Sequence, residues 1–197
     1  GLLFNEEYPG WLYEVKLGAT TIWERWNSML ADGSVSSTGM NSFNHYSYGS
    51  IVEWMYAYVA GIRQAEDSVG FRHLCISPVV DARLGHVNAR YQSAMGLWKT
   101  SWKALDDTHL EFRVTVPFGC RADVILPYAP ESVYGDGTNP MFADVKDGVC
   151  RLEAGSYAVS YETTRPLRKV YGVDTPLKEL FKVPAIRSFL KEQLPQI

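Results

Sequence analysis

The sequence predicts a mixed α and β fold, in which a helical segment is followed by an antiparallel β-sandwich. One observation is an apolar period of 3.6 residues between Ile51 and Ile62, which is typical of one face of an amphipathic helix. Another is an apolar period of two between residue 72 and about residue 164, which is interrupted by turn residues and by no helical pattern. Several strands at such spacing, without intervening helices, indicate an antiparallel sandwich.

The predicted helix is the clearest element in the first part of the chain. Ser42 or Asn44 is its expected N-cap, because either side chain accepts a backbone N–H. A single helix with this much aromatic bulk needs other helices to pack against, and only a weak helical candidate at residues 1–7 precedes it. We therefore expect its packing partners to be largely missing, and we interpret its aromatic stripe as core packing rather than a ligand platform. The apolar face consists of Ile51, Trp54, Met55, Tyr58, Val59 and Ile62.

The strands are predicted from alternation. The predicted segments are residues 87–93, 95–105, 108–116, 120–127, 149–153 and 156–162. Asp106-Asp107 and Phe118-Gly119 are expected to link neighbouring strands as hairpins. The stretch 128–148 is rich in proline, glycine and aspartate, and we expect a long loop there.

The end of the chain is predicted to be helical. Thr175 followed by Pro176 indicates an N-cap and a proline at the first helical position, with the helix continuing to about Lys182. A second short helix is predicted from Pro184 to Gln193. Together these patterns divide the chain into three regions, which are residues 1–70, 71–165 and 166–197.

Composition limits the classes of partner. The chain has 197 residues, of which 46% are hydrophobic, and a formal net charge of -3. A basic excess that could neutralise phosphates or anionic lipids is therefore absent, which argues against nucleic acid and membrane partners. The three cysteines are Cys75, Cys120 and Cys150, and their spacing is not that of a zinc site. We interpret them as small buried hydrophobic residues, and the alternative is that two of them form a disulfide.

The densest chemical segment lies between Gly18 and Asn27. It contains Glu24 between Trp23 and Trp26. Tryptophan offers flat apolar faces to the C–H groups of a pyranose, and a carboxylate activates water or binds hydroxyl groups. This combination favours a sugar-cleaving pocket, and the structural alternative is a buried pair of Glu24 and the adjacent arginine inside an aromatic core.

A second candidate segment contains Asn44 and His45, close to the predicted start of the helix. Amide and imidazole groups supply neutral donors and acceptors, which suits an uncharged polyol. The alternative is that His45 caps the helix or lies in the core. Trp98 and Trp102 share one face of a predicted strand, where core packing is favoured over a carbohydrate platform. The histidines show no metal-ligand spacing and no nucleotide-binding fingerprint occurs, so we expect neither a metal nor a cofactor.

These residues carry a family resemblance. The run from Gly18 to Trp26, Gly-Ala-Thr-Thr-Ile-Trp-Glu-Arg-Trp, followed by Ser-Phe-Asn-His-Tyr at 42–46, resembles the C-terminal part of the bacterial α-L-rhamnosidases of glycoside hydrolase family 78. The runs 114–117 and 152–157 are similar to the C-terminal β-sandwich domain of that family. The first motif is specific and the sandwich motifs are supportive.

The resemblance implies that residues 1–70 are the last helices of a catalytic (α/α)6 barrel, followed by an antiparallel β-sandwich and a helical tail. It implies that Glu24 is the general base of an inverting enzyme that releases terminal α-L-rhamnose. His45 would contact the rhamnose, with Trp23, Trp26 and Asn44 as further substrate contacts. The general acid is expected in an upstream part of the same polypeptide, so this fragment alone is expected to be inactive. The implied partner is a rhamnose-containing glycoside or polysaccharide, and the family favours a periplasmic or secreted location.

A competing interpretation comes from a different functional class. In it the sandwich is a non-catalytic module that binds carbohydrate or supports a neighbouring domain. The first 70 residues would then serve as a linker and a packing helix. A related deoxyhexose or a uronic acid as the substrate sugar also stays open.

Overall fold

The computed structural model describes residues 2–37, 39–168, 171, 175–181 and 183–193. Within these residues the α-helices are α1 (Trp11–Lys16), α2 (Ile51–Trp54), α3 (Leu177–Leu180) and α4 (Pro184–Gln193). The strands are β1 (Ile62–Gln64), β2 (His73–Ile76), β3 (His86–Ser93), β4 (Gly96–Ala104), β5 (His109–Val116), β6 (Arg121–Ile125), β7 (Val145–Lys146), β8 (Val149–Leu152) and β9 (Gly155–Glu162). None of the helices in the described part is long and apolar enough to cross a membrane.

The strands form two sheets. One has five strands in the order β1-β2-β6-β8-β7, and the other has four in the order β3-β4-β5-β9. Neighbouring strands are antiparallel except for β2 and β6, which are parallel. The predicted sandwich is therefore confirmed, with one parallel pair that the sequence pattern does not reveal.

A single apolar core lies between the sheets. Alternation on β5 buries Leu110, Phe112 and Val114 at 2% exposure or less, because successive side chains point to opposite faces of a strand. Trp98 and Trp102 of β4 are also buried in this core. The core-packing interpretation of the two tryptophans is thus confirmed over the carbohydrate platform.

The predicted helix is present but shorter than expected. It begins with a 3-10 turn at Ser47–Ser50, continues as α2 and ends with a π-helical turn at Met55–Val59. Ser42 and Asn44 therefore lie before the helix, and their prediction as N-caps was wrong. The Ser42 hydroxyl accepts the Asn44 backbone N–H at 3.1 Å, and this local bond replaces the capping bond.

The far end of the helix is anchored to the sandwich. The Trp102 indole N–H donates to the Val59 carbonyl at 2.8 Å, and the Thr100 hydroxyl donates to the Ala60 carbonyl at 3.1 Å. These bonds satisfy two of the carbonyls that a helix end leaves unpaired. Gly61 then turns the chain with φ of 75°, so Ile62 starts a strand rather than extending the apolar face of the helix.

The exposed face of the helix matches the expectation that its partners are missing. Val52, Trp54 and Tyr58 are 53%, 42% and 44% exposed. Large apolar groups at this exposure are typical of a surface that another part of a protein covers. In the described part of the chain, Arg63 lies over the Tyr58 ring, with its guanidinium carbon 5.6 Å from the ring centroid, and the three side chains still keep these exposures.

The two predicted hairpin links have different outcomes. Asp106-Asp107 does join β4 to β5, and the Asp106 carboxylate accepts the backbone N–H groups of Thr108 and His109 at 2.7 and 2.8 Å. The Thr108 N–H, the His109 ring and the His109 N–H together lower the pKa of Asp106 to about 2. Phe118-Gly119 is a turn, but it carries the chain from β5 in one sheet to β6 in the other. The hairpin predicted there was wrong because alternation does not reveal to which sheet a strand belongs.

The remaining expectations concern the loop, the tail and the cysteines. Residues 128–148 form a loop with two short 3-10 turns and the two-residue strand β7. The helix Pro184–Gln193 is confirmed, whereas α3 begins at Leu177 because ψ of 134° places Pro176 outside the helix. Lys182, its predicted end, lies outside the described residues. All three cysteines are free thiols, and two of them are buried.

Candidate functional site

Two separate segments of the first region are joined by backbone hydrogen bonds. The His45 N–H donates to the Ile22 carbonyl at 2.8 Å, and the Glu24 N–H donates to the Ser42 carbonyl at 2.9 Å. The Thr21 hydroxyl adds a bond to a carbonyl of the second segment. The structure therefore brings together the two candidate segments that the sequence analysis identified.

Glu24 and Trp23 have different environments within this frame. Trp23 is only 3% exposed and packs edge-on against Phe43, with ring centroids 5.3 Å apart. Glu24 and the adjacent Arg25 are both half-buried. The structure therefore does not show the alternative, in which the two form a buried pair inside an aromatic core. Trp23, predicted as a sugar contact, has its indole turned into the protein.

Trp26 belongs to a partly exposed aromatic cluster. It stacks on Tyr48 with centroids 4.6 Å apart and meets Trp11 edge-on at 4.9 Å. All three rings are half-buried, so they form one wall beside the Glu24 segment. Apolar ring faces of this kind suit the C–H faces of a sugar. Sequence reasoning missed Trp11 and Tyr48, because neither is adjacent to the motif that drew attention to Trp26.

His45 has a defined hydrogen-bonding state. Its Nδ1 accepts the Ser47 backbone N–H at 3.1 Å, so the neutral imidazole carries its proton on Nε2. The ring is half-buried and stacks on Tyr46 with centroids 5.2 Å apart. Nε2–H is therefore the donor that His45 can offer to a ligand. The neighbouring Asn44 is exposed.

A buried carboxyl that sequence reasoning missed lies behind this segment. Glu14 of α1 is 3% exposed, and its Oε1 atom has no hydrogen-bond partner. Burial raises the pKa of Glu14 to about 7, against the opposing effect of the Trp23 backbone N–H. This carboxyl is thus coupled to the residue that precedes Glu24. A lone glutamate in a short, weakly periodic segment gives no sequence signal of burial.

A second cluster of titratable groups is structural. The His73 ring bridges Asp67 at 3.0 Å and Asp123 at 3.1 Å, and Arg121 also pairs with Asp67. These contacts tie the loop before β2 to β6 and account for the lowered pKa of Asp67. In the described residues, no group of three or more histidine, cysteine, aspartate or glutamate side chains is arranged to hold a metal ion.

Two family models match the chain. Residues 1–59 match the model described as the bacterial alpha-L-rhamnosidase 6 hairpin glycosidase domain. Residues 61–139 match the bacterial alpha-L-rhamnosidase C-terminal domain. The border between the two matches falls at the anchored end of the helix, just before β1.

Curated relatives are alpha-L-rhamnosidases. One from Formosa agariphila is 40% identical over 64% of this chain, and one from Streptomyces avermitilis is 36% identical over 79%. The chain spans only 13% and 15% of the lengths of these two proteins.

Solved structures agree with the sequence matches. The Streptomyces avermitilis alpha-L-rhamnosidase complexed with L-rhamnose superposes with a TM-score of 0.69 and 32% identity, over 81% of this chain and 15% of that one. The alpha-L-rhamnosidase of Aspergillus terreus gives a TM-score of 0.64 and 30% identity, over 82% of this chain and 16% of that one.

Proposed function

Because the chain belongs to the bacterial alpha-L-rhamnosidase family, we propose that it is part of an inverting glycoside hydrolase that releases terminal α-L-rhamnose. The observation that carries this proposal is the backbone pairing that brings Glu24 and His45 together. The substrate is a rhamnose-containing glycoside or polysaccharide. The residue roles below are those that the resemblance implies and that the geometry supports.

Glu24 is the general base. In an inverting glycosidase a carboxylate activates a water molecule on the face of the sugar opposite the leaving group. The water attacks the anomeric carbon and gives its proton to Glu24, while a separate carboxylic acid protonates the departing oxygen. The two carboxyl groups stand roughly 6.5–9.5 Å apart to admit the water. A half-buried carboxylate on a fixed backbone meets the requirement that the base be held in place yet reachable by water.

His45, Asn44 and Trp26 bind the sugar. The Nε2–H of His45 donates to a rhamnose hydroxyl, and the exposed Asn44 supplies a neutral amide. The indole of Trp26 offers its face to the C–H groups of the ring. Trp23, because it is buried, is assigned the supporting role of packing beneath Glu24 rather than touching the sugar.

The general acid comes from an upstream part of the same polypeptide. The exposed aromatic face of the helix supports this arrangement, because Trp54 and Tyr58 are suited to packing against further helices of a barrel. Residues 1–70 then complete that barrel, and the sandwich follows it. The isolated chain has one half of the catalytic pair and is inactive.

The test is Glu24→Gln in the full-length protein. The amide keeps the shape of the side chain but cannot accept the proton of water, so kcat for an aryl α-L-rhamnoside falls by about 10²–10⁴ while KM changes little. Added azide needs no base and restores product formation as the β-rhamnosyl azide. Proton NMR of the first product of the wild-type enzyme shows the β anomer, as inversion requires.

The matched control is Glu153→Gln, which removes an exposed carboxylate of the sandwich and leaves kcat unchanged. Unaltered turnover in Glu24→Gln would instead favour a non-catalytic carbohydrate-binding or supporting module. A first product of α configuration would contradict inversion.

A further inference from the structure

The solvent side of the four-stranded sheet concentrates positive charge. We call this surface the basic face, defined as the outward-pointing side chains of residues 86–90 in β3, 99–103 in β4 and 111–115 in β5. Four of these side chains are lysine or arginine and one is glutamate. The whole chain has a formal net charge of -3, so this charge is local and not a reflection of composition.

Two cationic side chains face each other across the strands. Arg90 lies directly opposite Lys99. Lys103 lies opposite His86 on one side and opposite the Glu111 carboxylate on the other. Like charges at directly opposed positions destabilise a sheet. An anion bound between Arg90 and Lys99 would remove the repulsion.

A shallow cavity of about 270 Å³ opens on the same surface. Asn88, Ser101, Lys103, Glu111 and Arg113 are among the residues that line it. The guanidinium of Arg113 donates two hydrogen bonds to the Glu111 carboxylate, at 3.1 and 2.8 Å. The cavity therefore presents two cations and one carboxylate beside an amide and a hydroxyl. Its excess of positive charge, the amide and the hydroxyl suit a ligand carboxylate with neighbouring hydroxyl groups.

The spacing of the cations indicates a polymeric ligand. Lys99, which faces Arg90, and Lys103 are four residues apart on β4, or about 13 Å at a rise of about 3.3 Å per residue. One carboxylate cannot reach both lysines. The outward side chains of these ranges include no phenylalanine, tyrosine or tryptophan, which a single-stranded nucleic acid would use for base stacking.

We propose that the basic face is a second binding surface, which takes an acidic polysaccharide whose sugar units carry carboxylates. The surface lies on the sandwich and requires neither Glu24 nor His45, so it goes beyond the proposed release of rhamnose. It holds the polymer through its carboxylates and hydroxyl groups, in a salt-dependent manner.

The experiment measures binding of the full-length protein to polygalacturonate by isothermal titration calorimetry at low ionic strength. The double variant Lys99→Ser with Lys103→Ser raises the Kd by about tenfold or more, since it removes one cation of the Arg90–Lys99 pair and the cation of Lys103. The control is Lys146→Ser with Arg151→Ser, which removes the same charge from exposed positions of the other sheet and changes the Kd less than about twofold. Circular dichroism checks that each variant is folded.

Further probes decide which chemistry is recognised. Fully methyl-esterified polygalacturonate, which has the same sugar without the charge, does not bind. The proposal is overturned if the wild-type protein does not bind polygalacturonate, or if both double variants weaken binding equally. It is also overturned if the esterified polymer binds as well as the acid, or if a single-stranded DNA oligonucleotide binds as tightly and depends on the same two lysines.

Discussion

The effect of Glu14→Gln on stability is expected to grow as the pH rises. Burial raises the pKa of Glu14 from 4.5 to about 7 in the folded chain. A group that binds its proton more tightly when folded stabilises the fold fully below its unfolded pKa of 4.5, and this contribution is lost as the pH rises through 7. The wild-type chain therefore loses stability, relative to a variant that cannot ionise, between these two values.

The magnitude follows from the size of the shift. Each pKa unit corresponds to about 1.4 kcal/mol, so a shift from 4.5 to about 7 gives a limit of about 3 kcal/mol at alkaline pH. Glutamine has the shape of the protonated acid and keeps an acceptor for the Trp23 backbone N–H. We therefore expect Glu14→Gln to match the wild type within about 1 kcal/mol near pH 5 and to exceed it by up to about 3 kcal/mol near pH 8.5.

Urea unfolding followed by tryptophan fluorescence measures the effect. Trp11 and Trp26 pack together near the segment that contains Trp23, whereas Trp98 and Trp102 lie in the sandwich core, so the signal follows unfolding of both regions. Glu7→Gln, at an exposed position, is the control and should give a difference from wild type that does not change with pH. A difference between Glu14→Gln and wild type that is the same at both pH values would refute the argument.

Two further predictions follow. Gly61→Ala lowers the free energy of unfolding by about 3–5 kcal/mol in urea denaturation, because a Cβ there would lie 2.3 Å from the backbone nitrogen of Pro78 as well as at φ of 75°. Gly119→Ala is the control, because φ is 73° there and no atom lies within 4 Å of the added Cβ. It should lower the free energy of unfolding by about 1–2 kcal/mol through backbone strain alone. An equal loss of stability in the two variants would contradict a steric clash at Gly61. We expect that the purified 197-residue chain does not hydrolyse aryl α-L-rhamnosides above the buffer rate, because the proposed mechanism has its general base in this chain and its general acid upstream. Measurable turnover would place the acid within the chain.

The sandwich strands were predictable because burial on one face of a strand leaves a direct trace in the sequence. The predicted segment 108–116 and the observed β5, His109–Val116, differ by one residue. Successive side chains of β5 point alternately to the core and to the solvent, so the alternation of apolar and polar residues runs along the whole strand. The outer face of the same strands is polar, and its pattern also located the basic face once the register was known.

The elements that were missed lack such a trace. Ile62 continues the helical period, yet the chain turns at Gly61, where φ is positive, and pairs with β2. The sequence signal for this turn was a glycine, Gly61, within the 3.6-residue apolar period of the predicted helix. β2 is a short run of His73–Ile76, and its parallel pairing with β6 depends on contacts distant in sequence. The predicted border at residue 70 stays a prediction, although β1 lies before it.

The sequence predicted which residues belong to the candidate site, but it did not predict how they are arranged in space. The motif singled out Glu24 and His45, but their spacing in sequence does not reveal that two backbone hydrogen bonds join their segments. Nor does the sequence separate the buried Trp23 from the half-exposed Trp26. Both tryptophans fit a sugar pocket equally well until the packing of Phe43 on one of them is known.

The position of Glu24 is set by atoms that its side chain does not supply. Its backbone N–H is bound to Ser42, the preceding Ile22 carbonyl is bound to His45, and Trp23 between them is buried. Changing Glu24 to glutamine leaves all of these contacts in place, since none involves the carboxylate. A loss of turnover in that variant therefore reports on proton transfer and not on a displaced loop, which is why the substitution can decide between a catalytic and a supporting role.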